Sequence, residues 1–156
     1  MPQNPNNPSR GFRKRTPRTK KAEPTAVAAE TTVSDADRTA TLLRKLEQRY
    51  DCQLTAGQTK VNEATVRVTY LNEEKGLAFE IYPKQGGINS GIKRKINTDV
   101  LQLSLLRHHW AGAGKENITC GIVFGDQTSL DDYRGKKGPS WARRAAELHG
   151  VELLTL

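Results

Sequence analysis

The sequence predicts an α/β domain, a mixed β-sheet flanked by helices, preceded by a disordered basic arm. Three observations lead there. Residues 65–70 and 77–82 both alternate apolar and polar side chains and are joined by a polar turn, the pattern of an antiparallel hairpin. An amphipathic helical stretch follows, and then a continuous apolar run over residues 118–124, as expected of a strand buried on both faces. A second helix and a short strand end the chain. The order hairpin, helix, strand, helix, strand gives a mixed sheet with helices on its faces.

The chain has 156 residues, enough for one domain with a real core. Its net charge of +8 is unevenly distributed. Arg10, Arg13, Lys14, Arg15, Arg18, Lys20 and Lys21 precede the first acid, so these seven of the 25 Lys/Arg leave 18 against 17 Asp/Glu in the rest. Residues 1–33 repeat Pro and Asn, lack hydrophobic periodicity and are expected to be disordered. Such a cationic arm suits phosphate binding through counterion release, or serves only as a solubilising tail. Residues 34–156 form the single domain. The start of the chain has no apolar signal core, and no apolar run approaches the ~20 residues that span a bilayer, so a cytoplasmic protein with no membrane contact is expected. Cys52 and Cys120 are far apart and make no metal-ligand pattern with His108, His109 or His149.

Ser34 and Asp37 have capping-box spacing and start a helix over Asp35–Tyr50, with Leu42, Leu43, Leu46 and Tyr50 as its stripe. Glu47, among Arg44, Lys45 and Arg49, reads as a solvated ion-pair partner. Residues 52–61 read as turn-like around Gly57, and the first hairpin strand starts near Asn62 and Glu63. In the second strand Leu77, Phe79 and Ile81 take one face, and Ala78, Glu80 and Tyr82 the other. Glu80 is then a carboxylate in mid-strand, expected on the outward side of a half-exposed sheet unless it serves a site. Pro83, Gly86 and Gly87 end the strand and turn the chain. From Ser90, Ile92, Ile96, Val100, Leu103 and Leu106 recur at helical spacing, with Lys95 and Asp99 one turn apart beside them and Lys93 on the solvated side. Residues 125–138 read as a polar loop with a cationic end. Ser140 then precedes a helix with Trp141, Ala145 and Leu148 on one face, closed by Gly150.

The stretch Glu80, Gln85-Gly86, Lys95-Ile96, Asp99-Val100 and Leu103 resembles a motif of a divergent branch of the PD-(D/E)XK nucleases, the restriction-endonuclease-like superfamily. That motif is an acidic strand "E-hydrophobic-x-x-x-Q-G" followed by a helix "K-hydrophobic-x-x-D-hydrophobic-x-x-L". Ser140-Trp141-Ala142, Ala145 and Gly150-Val151 are similar to the branch's closing helix and strand. The resemblance covers residues 38–156.

The resemblance implies a restriction-endonuclease-like fold and Mg²⁺-dependent hydrolysis of DNA. Hard oxygen ligands for Mg²⁺ and a cation near the scissile phosphate are what such chemistry needs. Glu80 and Glu63, the acid nearest the start of the preceding strand, are the implied metal ligands. In the superfamily the lysine lies two residues after the acid, where this chain has Tyr82. Lys84 and Lys95 are the two substitutes, and Gln85 is suited to orienting a water or phosphate. A non-catalytic member of the same fold, binding nucleic acid, a protein partner or a second copy, is the competing expectation. No phosphate-loop spacing or serine triad is present.

Overall fold

A computed structural model describes residues 33–135, 138 and 140–156, and the seven cations of the arm lie outside it, as do Lys136 and Lys137. Nine elements follow in order: α1 (Asp35–Tyr50), β1 (Thr55–Val61), β2 (Ala64–Asn72), β3 (Leu77–Tyr82), α2 (Ser90–Gly112), β4 (Thr119–Phe124), α3 (Gln127–Arg134), α4 (Trp141–Leu148) and β5 (Val151–Thr155). The five strands form one mixed sheet in the order β1-β2-β3-β4-β5. β1, β2 and β3 pair antiparallel, whereas β3, β4 and β5 pair parallel. The predicted α/β class with a mixed sheet flanked by helices is therefore what the chain adopts.

Each helix begins where a short polar side chain satisfies an otherwise unpaired backbone N–H. Ser34 accepts from Asp37, Asn89 from Ile92, Asp126 from Ser129 and Ser140 from Arg143. The core lies in two layers, one on each face of the sheet. On one face Leu42 and Leu46 of α1 meet Leu77, Phe79 and Val123. On the other, Ile96, Val100, Leu103 and Leu106 of α2 meet Ala78, Tyr82, Ile122 and Phe124, together with Leu130 and Tyr133 of α3 and Ala142 and Ala146 of α4. The alternation read in β3 holds, but the strand is covered on both faces rather than half-exposed.

Four local expectations change. Residues 55–61 form a strand, because pairing with β2 stabilises a segment whose own side chains carry little hydrophobic signal. Asn62 and Glu63 form the turn of the β1–β2 hairpin, with Asn62 in the left-handed region at φ 56°, so Glu63 is not on a strand. Residues 127–134 form α3 rather than loop, held by its Asp126 cap and by Leu130 and Tyr133. In α4 the small residues Ala142 and Ala146 face the core, leaving Trp141 73% and Leu148 82% exposed. Leu148 joins Leu101 and Leu105 of α2 along a surface groove of about 430 Å³.

Gly125 permits the close approach of the chain after β3 to the end of β4, since a Cβ there would meet the backbone of Pro83. Its N–H also donates to the Tyr82 carbonyl at 2.8 Å. Gly86 sits at φ 80°, in the region that favours glycine, where the chain turns toward α2.

Val100 is 2% exposed under the sheet, whereas Arg94 is exposed on the far side of α2. Val100→Asp buries an unpaired carboxylate and is expected to cost about 3–5 kcal/mol, enough to unfold the domain. Arg94→Asp should stay within about 0.5 kcal/mol of wild type in chemical denaturation. Lys93 is not a suitable neutral control, because it pairs with Asp132 at 3.2 Å.

Candidate functional site

β2 and β3 separate in the middle of the sheet, and Glu80 lies where they part. Between Thr55↔Leu71 and Gly57↔Val68, β1 advances two residues while β2 advances three, so β2 carries a bulge at Thr69–Tyr70. Its pairing with β3 runs from Asn72↔Leu77 to Tyr70↔Phe79 and stops. The next amide, that of Thr69, has lost its ladder partner. Glu80 supplies one, accepting from the Thr69 N–H at 2.8 Å and from the Thr69 hydroxyl at 2.5 Å. The carboxylate thereby substitutes for the backbone pairing that the bulge removes.

Glu80 is 7% exposed and shares the α2-facing side of β3 with Tyr82. Burial holds its carboxyl above the ordinary 4.5, and the charge of Asp99 acts in the same direction, while the Thr69 bonds and Lys95 oppose them. Asp99, 8% exposed on α2, accepts from the Tyr82 hydroxyl. Lys95, one turn earlier, donates to Asp99 Oδ2 at 3.0 Å and to Tyr82 Oη at 3.0 Å. Its ammonium also lies 4.9 Å from the centre of the Tyr82 ring. Burial first, and then the bond to Asp99, raise the Tyr82 phenol far above its ordinary pKa. Tyr82 is thus a neutral donor to Asp99 throughout the physiological range.

Lys95 and Asp99 are therefore joined through Tyr82, and Glu80, held by Thr69 on the same face of β3, feels the charges of both. The other sequence candidates do not join them. Glu63 is at the hairpin turn, six residues from Thr69 and so about 20 Å along β2. Lys84 lies beyond the end of β3 with an exposed side chain, and its carbonyl accepts from Ser129 at 2.8 Å. Gln85 lines a groove with Arg38 and Lys45 of α1. Among the described residues Glu47 forms no salt bridge; it accepts from the Leu54 N–H at 3.0 Å, holding the chain after α1.

The donor set does not fit Mg²⁺ as it stands. Both oxygens of Glu80 are engaged by Thr69, and Asp99 Oδ2 is shared between Tyr82 and Lys95. Among the described residues no group of three His, Cys, Asp or Glu is arranged to hold a metal. Thr69 is the member of the cluster that sequence reasoning missed. Nothing in the alternation of β2 signals the bulge that turns its amide toward Glu80.

Comparison with known proteins finds no family model, curated protein or solved structure that matches this chain. Among the described residues no helix is long and apolar enough to cross a membrane.

Glu80→Gln separates a buried charge from a hydrogen-bonding latch. A carboxyl whose pKa is raised on folding binds its proton more readily in the folded state, so stability falls as pH rises from 4.5 through the folded value. Glutamine retains an acceptor for the Thr69 amide and does not titrate. The variant is expected to lose the component of the melting temperature that falls as pH rises above 4.5, and to match or exceed wild type at neutral pH. Thr69→Val removes one partner of the carboxylate and should cost about 1–3 kcal/mol. Unchanged pH profiles in Glu80→Gln would remove this role.

Proposed function

We propose that residues 34–156 are a restriction-endonuclease-like domain that binds nucleic acid, DNA in the first instance, without cutting it. The observation that carries the non-catalytic reading is Thr69. It faces Glu80 from the neighbouring strand and occupies both oxygens of the carboxylate. A second acid, which the resemblance leads one to expect on that strand, is absent from it, since β2 contains no Asp or Glu. The basic arm supports the nucleic-acid part of the reading, because cations without intervening acids bind phosphates by releasing counterions.

One observation favours a nuclease instead. The superfamily's lysine belongs where Tyr82 stands, and the Lys95 ammonium lies 3.0 Å from the Tyr82 hydroxyl. A helix lysine thus reaches the neighbourhood of the missing strand lysine, beside the two carboxylates of Glu80 and Asp99.

A cleavage assay decides between the two. Wild-type protein with single-stranded, duplex and branched DNA and either Mg²⁺ or Mn²⁺ is expected to give no products above background. Cleavage that disappears in both Glu80→Gln and Lys95→Ala would overturn the non-catalytic reading in favour of the nuclease.

Binding itself is tested by salt. Replacing the seven arm cations, Arg10 through Lys21, with glutamine should weaken DNA binding and flatten the slope of log K against log salt by up to about six. An unchanged slope would take the arm out of the reading.

A further inference from the structure

We infer that the outward face of the β1–β2 hairpin is a contact surface for the phosphodiester backbone of DNA, an inference that rests on the nucleic-acid reading above. Direct cross-strand register sets Gln58 opposite Arg67 and Lys60 opposite Thr65. Partners in an antiparallel pair share a face, so these four side chains stand together. All four are exposed, while Val61, Val66 and Val68 are buried on the opposite side, in the same apolar cluster as α2. The hairpin is therefore anchored by one face and presents the other.

The presented face has the chemistry of an anion site. Lys60 and Arg67 are its charges, and neither β1 nor β2 contains an Asp or Glu. Neither cation forms a salt bridge among the described residues. They occupy diagonal positions about 7–8 Å apart at the backbone, with side chains long enough to reach neighbouring phosphates. Gln58 and Thr65 add neutral hydrogen-bonding groups beside them.

Its shape agrees with this. A groove of about 500 Å³ runs along the face, lined by Ala56, Gly57, Gln58, Arg67, Val68 and Thr69. Ala56 and Gly57 are its small lining residues. Thr69, at the bulge, lies at one end of it.

The test uses the full chain and a short labelled DNA duplex at physiological ionic strength. Lys60→Glu/Arg67→Glu is compared with Arg44→Glu/Arg49→Glu, which makes the same charge change off the hairpin, on α1, which packs on the same side of the sheet against β3. The hairpin variant is expected to lose about tenfold or more in affinity and the control less than about twofold, since distant surface charges are screened. Lys60→Gln/Arg67→Gln, checked by thermal melting, guards against loss of folding in the reversed-charge variant and should lower the salt slope by about two. Equal losses in the hairpin and α1 variants, or none in either, overturn the hairpin surface while leaving nucleic-acid binding in place. If the wild type fails to bind the duplex at all, the nucleic-acid reading falls and this surface falls with it.

Discussion

Glu80 sits in the middle of the strand on which the domain is built, with α1 packed on one side of that strand and α2 on the other. A carboxylate buried without partners is strongly unfavourable, so a chain that keeps one there must satisfy it. Thr69 does so with two hydrogen bonds, and it is available because β2 bulges away from β3 at that point. The bulge and the carboxylate each resolve the other's deficit, one an amide without a ladder acceptor and the other an acid without donors. Beyond that junction Val61, Val66 and Val68 of the hairpin pack with α2 and complete the core on that face.

The parts of the fold legible in the sequence are those whose periodicity is set by burial. β3 reads correctly because Leu77 and Phe79 face α1 while Ala78 and Tyr82 face α2, and α2 reads correctly from Ile96, Val100, Leu103 and Leu106. β1 was not legible, since residues 55–61 bury only Val61 and owe their conformation to pairing with β2. α3 is short and polar, and its signal was the Asp126 cap on Ser129 rather than any apolar stripe. In α4 the larger side chains point outward and two alanines point in, because the helix packs close enough to α2 and β5 that only small residues fit.

The site divides the same way. Glu80, Lys95 and Asp99 are visible as charges at strand and helix spacing, and Lys95 and Asp99 pair on α2 while their charges reach Glu80 through space. β2 itself carries no acid, and the two-residue turn at Asn62 carries Glu63, the acid just before it, away from Glu80. Tyr82 looked like a gap in the pattern. It instead bonds both Lys95 and Asp99, so the residue that departs from the resemblance is the one that joins the helix to the strand. Such a role depends on the distance between elements, which sequence spacing alone does not contain.

Charge balance then separates the buried cluster from the surfaces suited to nucleic acid. With both acids ionised, Glu80 and Asp99 outnumber Lys95, and the cluster carries a net negative charge in a low-dielectric setting where Coulomb interactions are strong. A phosphate approaching it meets repulsion. The Lys95 side chain is 63% exposed and that of Asp99 only 10%, so the cation is the solvated, movable member and the acids are the fixed ones. Attraction for a polyanion must come from elsewhere on the chain, where cations stand without acids beside them. Lys60 and Arg67 stand on strands that contain no acid, with Glu63 in the turn between them, and the seven cations before Ala22 have no acid among them.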